Sequence, residues 1–109
     1  MIKQKHYFHN NTNQNGNGID LILANTSTNT IININAFGTG TCGLSFYGQP
    51  FLSEEFIPVN AIKASDYTIT KTGTMNETYQ IDGSAYKAIR VATDTVSGGE
   101  VSVVGMVIE

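Results

Sequence analysis

Apolar and polar side chains alternate along most of this chain, and no segment repeats with the period of a helix. In an extended strand, neighbouring side chains point to opposite faces, so an alternating segment has one apolar face and one polar face. The polar positions are mostly Asn, Thr and Ser. The clearest alternating apolar sets are Ile32, Ile34 and Ala36; Cys42, Leu44 and Phe46; and Tyr79 and Ile81. The pattern predicts strands that bury one face and expose an uncharged polar face.

Turn residues separate these segments at short intervals. Strands are predicted at 19–24, 30–37, 41–47, 59–64, 67–70, 77–82, 87–93 and 100–108, with 59–64 and 67–70 forming one bent strand or two. Turns or loops are predicted at 25–29, 48–50 and 72–76, and residues 97–99 turn the final hairpin. This arrangement, without helical segments between the strands, predicts an all-β fold. We expect an antiparallel β-sandwich, jelly-roll-like, with seven to eight strands.

The first 18 residues are predicted to lie outside the sandwich, which gives an N-terminal arm and Asn-rich loop at 1–18 and a single β-sandwich domain at 19–109. Residues 5–9 read as a short first strand or as an arm. Residues 10–18, with the sequence NNTNQNGNG, form a polar loop with Asn-Gly turns. Two interpretations of this loop stay open: a neighbouring subunit orders it, or it is a simple surface loop.

The last predicted strand is apolar in both of its phases. Val101 and Val103 share one phase, whereas Val104, Met106 and Ile108 take the other. Either a bulge that begins near Val103 shifts the phase, or both faces of the strand are covered. The second alternative requires a neighbouring subunit on the outer face.

Ser53 precedes two acidic residues, Glu54 and Glu55, in an order typical of a helix N-terminus. We therefore expect one helical turn at 53–56, which Pro58 ends. Neighbouring side chains point in different directions, so the two acids are not expected to act as a carboxylate pair in glycoside hydrolysis.

Composition narrows the classes of partner. The chain has 109 residues, which corresponds to one domain. Charged residues make up 14%, against about 25% in an ordinary domain. Such surfaces are typical of proteins that pack against their own copies and of small adhesive domains. The net charge is −3 and the six basic residues are scattered, which argues against a nucleic-acid surface. We expect neither a cleaved signal peptide nor a membrane span.

No constellation of residues predicts catalysis. Residues 38–43 match G-x-G-x-x-G, the pattern of a dinucleotide-binding loop. Such a loop requires a helix directly after it, but here the alternation typical of a strand continues. We therefore interpret these residues as a glycine-rich hairpin. His6 and His9 are predicted to be solvent-exposed in the arm, without enough neighbours to hold a metal or to activate a nucleophile. Cys42 is interpreted as a small buried hydrophobe. We therefore predict a protein that is not an enzyme and has no catalytic, metal-binding or cofactor-binding residues.

Aromatic residues leave a second function open. Exposed tyrosines on a β-sandwich can form a platform for stacking sugars, although the chain has no Trp and tyrosines at strand ends usually pack across sheet edges. The aromatic residues considered for this role are Tyr47, Phe51, Phe56, Tyr67, Tyr79 and Tyr86.

Two stretches near the end of the chain, TYQIDGSAYKAIRV at 78–91 and SGGEVSVVG at 97–105, resemble small bacteriophage virion proteins. In that family a strand ends in Y-x-I/V-D/S-G-x, the chain re-enters at Y-x-x-I/L-R-V, and a Gly-rich hairpin leads to G-x-V-x-V-x-G. The resemblance implies an antiparallel β-sandwich from a phage head, tail or fibre, often trimeric. It implies turn positions for Gly83 and Gly99 and core positions for Ile89 and Val91. Arg90 is predicted to pair across a subunit boundary.

These observations predict a non-enzymatic structural or accessory component of a phage or prophage particle, such as a head decoration, head–tail or tail/fibre protein. Its predicted partners are copies of itself, in a homo-oligomer that we expect to be a trimer, and other virion proteins. No nucleic acid and no membrane is expected. The predicted location is the virion, after synthesis in the cytoplasm of a bacterial host. The alternative is a carbohydrate- or surface-binding β-sandwich module with a glycan as partner.

Overall fold

The structure, a computed structural model, describes residues 3–23 and 30–108, and these residues form two antiparallel sheets without a helix. The strands are β1 Lys3–Thr12, β2 Leu21–Ile22, β3 Ile31–Gly38, β4 Thr41–Pro50, β5 Ile57–Pro58, β6 Ala61–Lys63, β7 Ile69–Thr70, β8 Thr72–Thr74, β9 Thr78–Asp82, β10 Tyr86–Ser97 and β11 Val101–Ile108. The predicted all-β antiparallel sandwich is confirmed, with more strands than the seven to eight expected.

One sheet has six strands in the order β1-β11-β3-β9-β6-β7, and the other has five, with the order β2-β10-β4-β5 and β8 also paired to β4. Their inner faces meet in one core. Full burial of one large apolar side chain contributes roughly 1.5–3 kcal/mol to folding stability. The largest fully buried side chains are Phe8, Phe46, Ile32, Ile34, Leu44, Ile81, Ile89, Val91, Val101, Val103, Val107 and Thr30. The alternation read from β3, β4 and β9 therefore places the core correctly.

The extra strands arise where pairing with a neighbour extends or divides a predicted segment. Strand β4 continues through the predicted break at 48–50, because Gly48 lets the ring of Tyr86 lie against the strand where a Cβ would collide with it. The predicted loop at 72–76 contains β8, which pairs with β4. The predicted strand at 59–64 is represented by β6, and β5 precedes it on the other sheet.

Other local predictions are wrong. Residues 97–99 do not turn a hairpin, because β10 and β11 lie in different sheets and do not pair. The strand expected at 19–24 is reduced to β2. Leu21 and Leu23 are buried, but Ile19 is 66% exposed because the chain is crossing between sheets there. Ala24 and the predicted turn at 25–29 lie outside the described residues. Residues 53–56 form bends rather than a helical turn. The Ser53 hydroxyl accepts a hydrogen bond from the Glu55 amide at 3.0 Å, and the chain then enters β5.

Strand β1 includes residues that the sequence pattern places in an arm. It pairs with β11 from Lys3, opposite Ile108, to Thr12, opposite Val101. Phe8 and His9 are adjacent yet both buried, because the register shifts between Tyr7 and His9. Alternation fails at such an irregularity, so the strand has no clear sequence signal. Residues 3–12 are thus part of the sandwich, and the short-strand interpretation of 5–9 agrees with the structure.

The pairing of β11 with β3 excludes the first explanation of the two-phase pattern, a bulge in the last strand. The pairing of β11 with β3 is continuous from Val101 to Ile108, so β11 carries no bulge relative to β3. Val101, Val103 and Val107 point into the core, and Val104, Met106 and Ile108 are half-buried on the outer face. The outer face of β11 is therefore apolar, as the second alternative requires.

The Asn-rich segment after β1 covers the edge of β10. Strand β2 pairs with only two residues of β10, and the N-terminal segment supplies hydrogen bonds to the rest of that edge. Gly16 exchanges two backbone hydrogen bonds with Thr93, at 3.1 and 2.8 Å, and Asn15 Oδ1 accepts the Val96 amide at 2.9 Å. Residues of the same chain thus hold this loop, and an open strand edge is avoided.

His9 extends this cover into the interior. Its Nε2 lies 2.8 Å from the carbonyl oxygen of Val91, which only accepts, so Nε2 is the donor. The prediction that His9 is solvent-exposed is wrong, since only 6% of the residue is accessible. His9 instead joins β1 of one sheet to β10 of the other.

Replacing His9 by Ala should lower the free energy of unfolding by about 1–3 kcal/mol, because the buried Val91 carbonyl loses its donor. Urea denaturation followed by circular dichroism measures this change. His6→Ala is the matched control: His6 Nε2 contacts the Ile19 carbonyl at 2.8 Å in an exposed position, and we expect less than about 1 kcal/mol. Equal losses in the two variants would contradict the assigned role of His9.

Candidate functional site

The described residues hold no cluster of side chains typical of a metal centre. Among residues 3–23 and 30–108, no three His, Cys, Asp or Glu side chains come close enough together to hold a metal ion. Residues 39–40 connect β3 of the six-stranded sheet to β4 of the five-stranded sheet, so the G-x-G-x-x-G match lies at a crossover between sheets and the predicted hairpin is wrong. Cys42 is buried, and burial raises the pKa of its thiol, with a smaller contribution from Asp94. A protonated thiol is a poor nucleophile. No helix in the described ranges is long and apolar enough to cross a membrane.

Arg90 has its charge satisfied within the chain. Its Nε and Nη2 donate to the two carboxylate oxygens of Asp20 at 2.9 and 3.0 Å, and the guanidinium carbon lies 3.8 Å from the centroid of the Phe56 ring. The hydrogen bond to Asp20 raises the pKa of Arg90. The prediction that Arg90 pairs across a subunit boundary is therefore wrong. Arg90 joins β10 to the segments that precede β2 and β5.

The outer face of the six-stranded sheet carries a different kind of surface. Tyr7, Phe37, Val104 and Met106, which we call the apolar face, stand on β1, β3 and β11. Phe37 is 47% exposed and Tyr7 39% exposed. The strand register brings them together, because Tyr7 lies opposite Val104 on the neighbouring strand. Aromatic and Met side chains are enriched at protein interfaces, and Lys is depleted.

The apolar face surrounds a depression of about 260 Å³. Its other lining residues are Lys5, Asn33 and Asn35. Asn35 donates to the Thr78 hydroxyl at 2.7 Å, whereas Asn33 Oδ1 is buried with no hydrogen-bond partner among the described residues.

A second depression, of about 280 Å³, lies near β6, β7 and β8; we call it the polar depression because most of its lining residues are polar. It is lined by Lys63, Asp66, Thr68, Thr70, Thr72, Gly73, Thr74 and Tyr79. Hydrogen bonds from Thr68 lower the pKa of Asp66, so this carboxylate stays ionised further into acid than usual. The Tyr79 hydroxyl accepts the Thr74 amide at 2.9 Å, which leaves its ring packed in the core.

An apolar tip projects from the five-stranded sheet after β4. Leu52 is fully exposed and Phe51 is 56% exposed. The turn is fixed by two hydrogen bonds: the Ser53 amide donates to the Pro50 carbonyl at 3.2 Å, and the Gln49 side-chain amide donates to the Glu54 carbonyl at 3.1 Å. Phe51 and Leu52, which we call the tip, are thus presented on an ordered turn.

Comparison with protein families gives a match over residues 3–107 to the XepA family model. The chain belongs to the XepA family. A comparison with curated proteins gives no match in sequence. The family membership agrees with the predicted resemblance to small phage proteins.

Two solved structures share the fold of this XepA-family chain. The SPBc2 prophage-derived protein YomS aligns with a TM-score of 0.87 at 16% identity, over 99% of this chain and 94% of YomS. The PBSX exported protein XepA aligns with a TM-score of 0.87 at 21% identity, over 98% of this chain. The chain spans 38% of the length of that XepA structure. Together with the family match, these structures confirm the predicted resemblance to small phage and prophage proteins.

Sequence reasoning missed the apolar face and the tip as surfaces. The signal for the first was the two-phase pattern of β11, but nothing local assigns Tyr7 and Phe37 to the same face as Met106. The signal for the second was the adjacent pair Phe51 and Leu52 in a segment bounded by Pro50 and Ser53.

Replacing Arg90 by Ala should lower the free energy of unfolding by about 1–2 kcal/mol, because a two-point hydrogen-bonded ion pair and a ring contact are lost together. Urea denaturation measures the loss. Lys87→Ala is the control on the same strand: its Nζ lies 3.5 Å from the exposed Glu54 carboxylate, and the expected change is within about 0.5 kcal/mol. A loss for Arg90→Ala no larger than that of the control would contradict this account.

Proposed function

We propose that this XepA-family chain is a non-enzymatic structural or accessory component of a phage or prophage particle that acts through homo-oligomeric assembly. The observation that carries the proposal is the apolar face, which a monomer leaves in water. Contiguous exposed apolar patches on soluble proteins mark interaction sites. The family match and the prophage-derived relative YomS support the association with phage.

The make-up of the apolar face also supports assembly rather than small-molecule chemistry. Lys5 is the one charged side chain that lines the depression, and it lies 5.6 Å from the centre of the Tyr7 ring. Few charges have to be removed from water when this face is covered, so the desolvation cost is small.

The finer predictions belong to the same proposal. We propose a virion location as a head decoration, head–tail or tail/fibre protein, with a jelly-roll-like sandwich repeated by symmetry and other virion proteins as additional partners. The name of the relative XepA as an exported protein is compatible with a location outside the host cytoplasm. We expect the oligomer to be a trimer, and a light-scattering mass determination would give the number of subunits.

Phe37→Glu should convert the assembly to monomer, because a charge at the rim of the depression must then be desolvated. Multi-angle light scattering at micromolar concentration measures the change against the chain mass of 11.8 kDa. Ile22→Glu is the control, since Ile22 is strongly exposed on the other sheet and should leave the mass unchanged. A wild-type protein that is monomeric under these conditions would overturn the proposal.

The second candidate function is a carbohydrate- or surface-binding module. The polar depression favours it, because threonine hydroxyls and the Asp66 carboxylate are typical partners of sugar hydroxyls. Tyr67, on the turn between β6 and β7, is 81% exposed and is available for stacking on a sugar ring.

A glycan array tests this second candidate. We expect a bound glycan to be lost in Tyr67→Ala and retained in Tyr47→Ala, a tyrosine of the other sheet. No binding by the wild-type protein, or equal binding by both variants, would reject the candidate at this location.

A further inference from the structure

The tip and the depression have matching size and character, and they occur on opposite sheets of one chain. We propose that the tip of one copy inserts into the depression on the apolar face of the next copy. This inference rests on the proposed assembly function and names the two surfaces that meet. The occupant of the depression is therefore Phe51 and Leu52 of a second molecule.

The size of the depression supports this occupant. An apolar cavity of about 150 Å³ is large enough to hold a benzene molecule. The depression of about 260 Å³ is therefore large enough for one aromatic ring or one branched aliphatic side chain with part of its neighbour. Its apolar walls, Tyr7, Phe37, Val104 and Met106, suit a Leu or Phe side chain.

The tip has the properties of an interface anchor. Leu52 has no cover from its own chain, and the hydrogen bonds of the turn hold the tip in shape before any partner arrives. A preorganised anchor loses less conformational entropy on binding than a free loop. Burying one large aliphatic side chain that is exposed in the monomer favours association.

A chain cannot fill its own depression. The tip follows β4 at one end of the five-stranded sheet, where Pro50 lies opposite Tyr86. The depression opens on the outer face of the six-stranded sheet, which points away from the five-stranded sheet. The contact therefore requires a second molecule.

Charged side chains beside the depression and beside the tip favour one orientation of the contact. Lys5 stands beside the depression, and Glu54 and Glu55 follow the tip directly. Glu54 makes only a 3.5 Å contact with Lys87 and is almost fully exposed. Opposite charges at the rim of an interface contribute little affinity, but they favour one orientation and speed encounter.

The contact joins two different surfaces, so it is heterologous. Each copy offers one tip and one depression, and repeated head-to-tail contacts close into a ring or continue as a filament. A face-to-face dimer through the apolar face would instead use the same surface twice. The two arrangements respond differently to mutation.

Complementation between two variants separates these arrangements. Leu52→Asp removes the tip and Phe37→Glu blocks the depression, and each variant alone should be monomeric in light scattering. Mixed in equal amounts, they should form a species of twice the 11.8 kDa chain mass and nothing larger, because one working tip meets one working depression. Leu52→Met should retain the wild-type assembly. We expect Leu52→Asp to weaken association at least about 30-fold, as for a hot-spot residue.

Disulfide trapping locates the contact. Leu52→Cys mixed with Asn35→Cys should give a covalent dimer under mild oxidation, whereas Leu52→Cys mixed with Ile22→Cys should not. The natural Cys42 is buried and should not compete. Because Leu52 is fully exposed, its variants should keep the wild-type unfolding curve, so a change in mass is not a change in folding.

The outcomes separate the inference from the proposed function. A wild-type oligomer that persists in Leu52→Asp overturns the inference and leaves assembly standing. A monomeric wild-type protein overturns both. If the depression instead takes another virion protein or a glycan, that binding is lost in Phe37→Glu but kept in Leu52→Asp, and the inference is again overturned.

Discussion

The fold depends on how the long strand β10 has its free edge satisfied. Only two of its twelve residues pair with β2, so most of that edge would otherwise offer unpaired backbone groups. The N-terminal segment supplies the partners, through His9, Asn15 and Gly16. The same segment begins as β1 beside β11, so one stretch of chain ties the two sheets together. This placement carries Tyr7 to the apolar face and brings Asp20 to Arg90.

Much of the sandwich can be predicted from the sequence, because β3, β4, β9 and β10 contain alternating runs whose inward residues are the observed core. Strand β1 was predicted only as one of two alternatives for residues 5–9, since the register shift at Phe8 and His9 removes the alternation on which a firm prediction depends. Strands β5 and β8 have two and three residues, and pairing with β4 defines them more than their own sequence does. The Asp20 partner of Arg90 lies 70 residues away, a distance that no local pattern spans.

The candidate surfaces illustrate the same limit. The apolar outer phase of β11 was visible in the sequence, but a face is formed by register between strands, and register is not a local property. The low charge of the chain fits both surfaces, because contacts formed by apolar and amide groups desolvate few ions. Family membership adds the phage context, which the physical chemistry of the residues does not contain. The residues in turn specify the surfaces, the apolar face and the tip, that are available for contacts.

The pairing of Lys3 with Ile108 has a topological consequence. The first and last described strands are neighbours and antiparallel, so the polypeptide enters and leaves the sandwich at adjacent points of one corner. Extra segments joined at either side would emerge together there, away from the connections at 39–40 and 98–100. Such a module can be placed within a longer chain without cutting a sheet, because its neighbours in sequence need only reach a single corner.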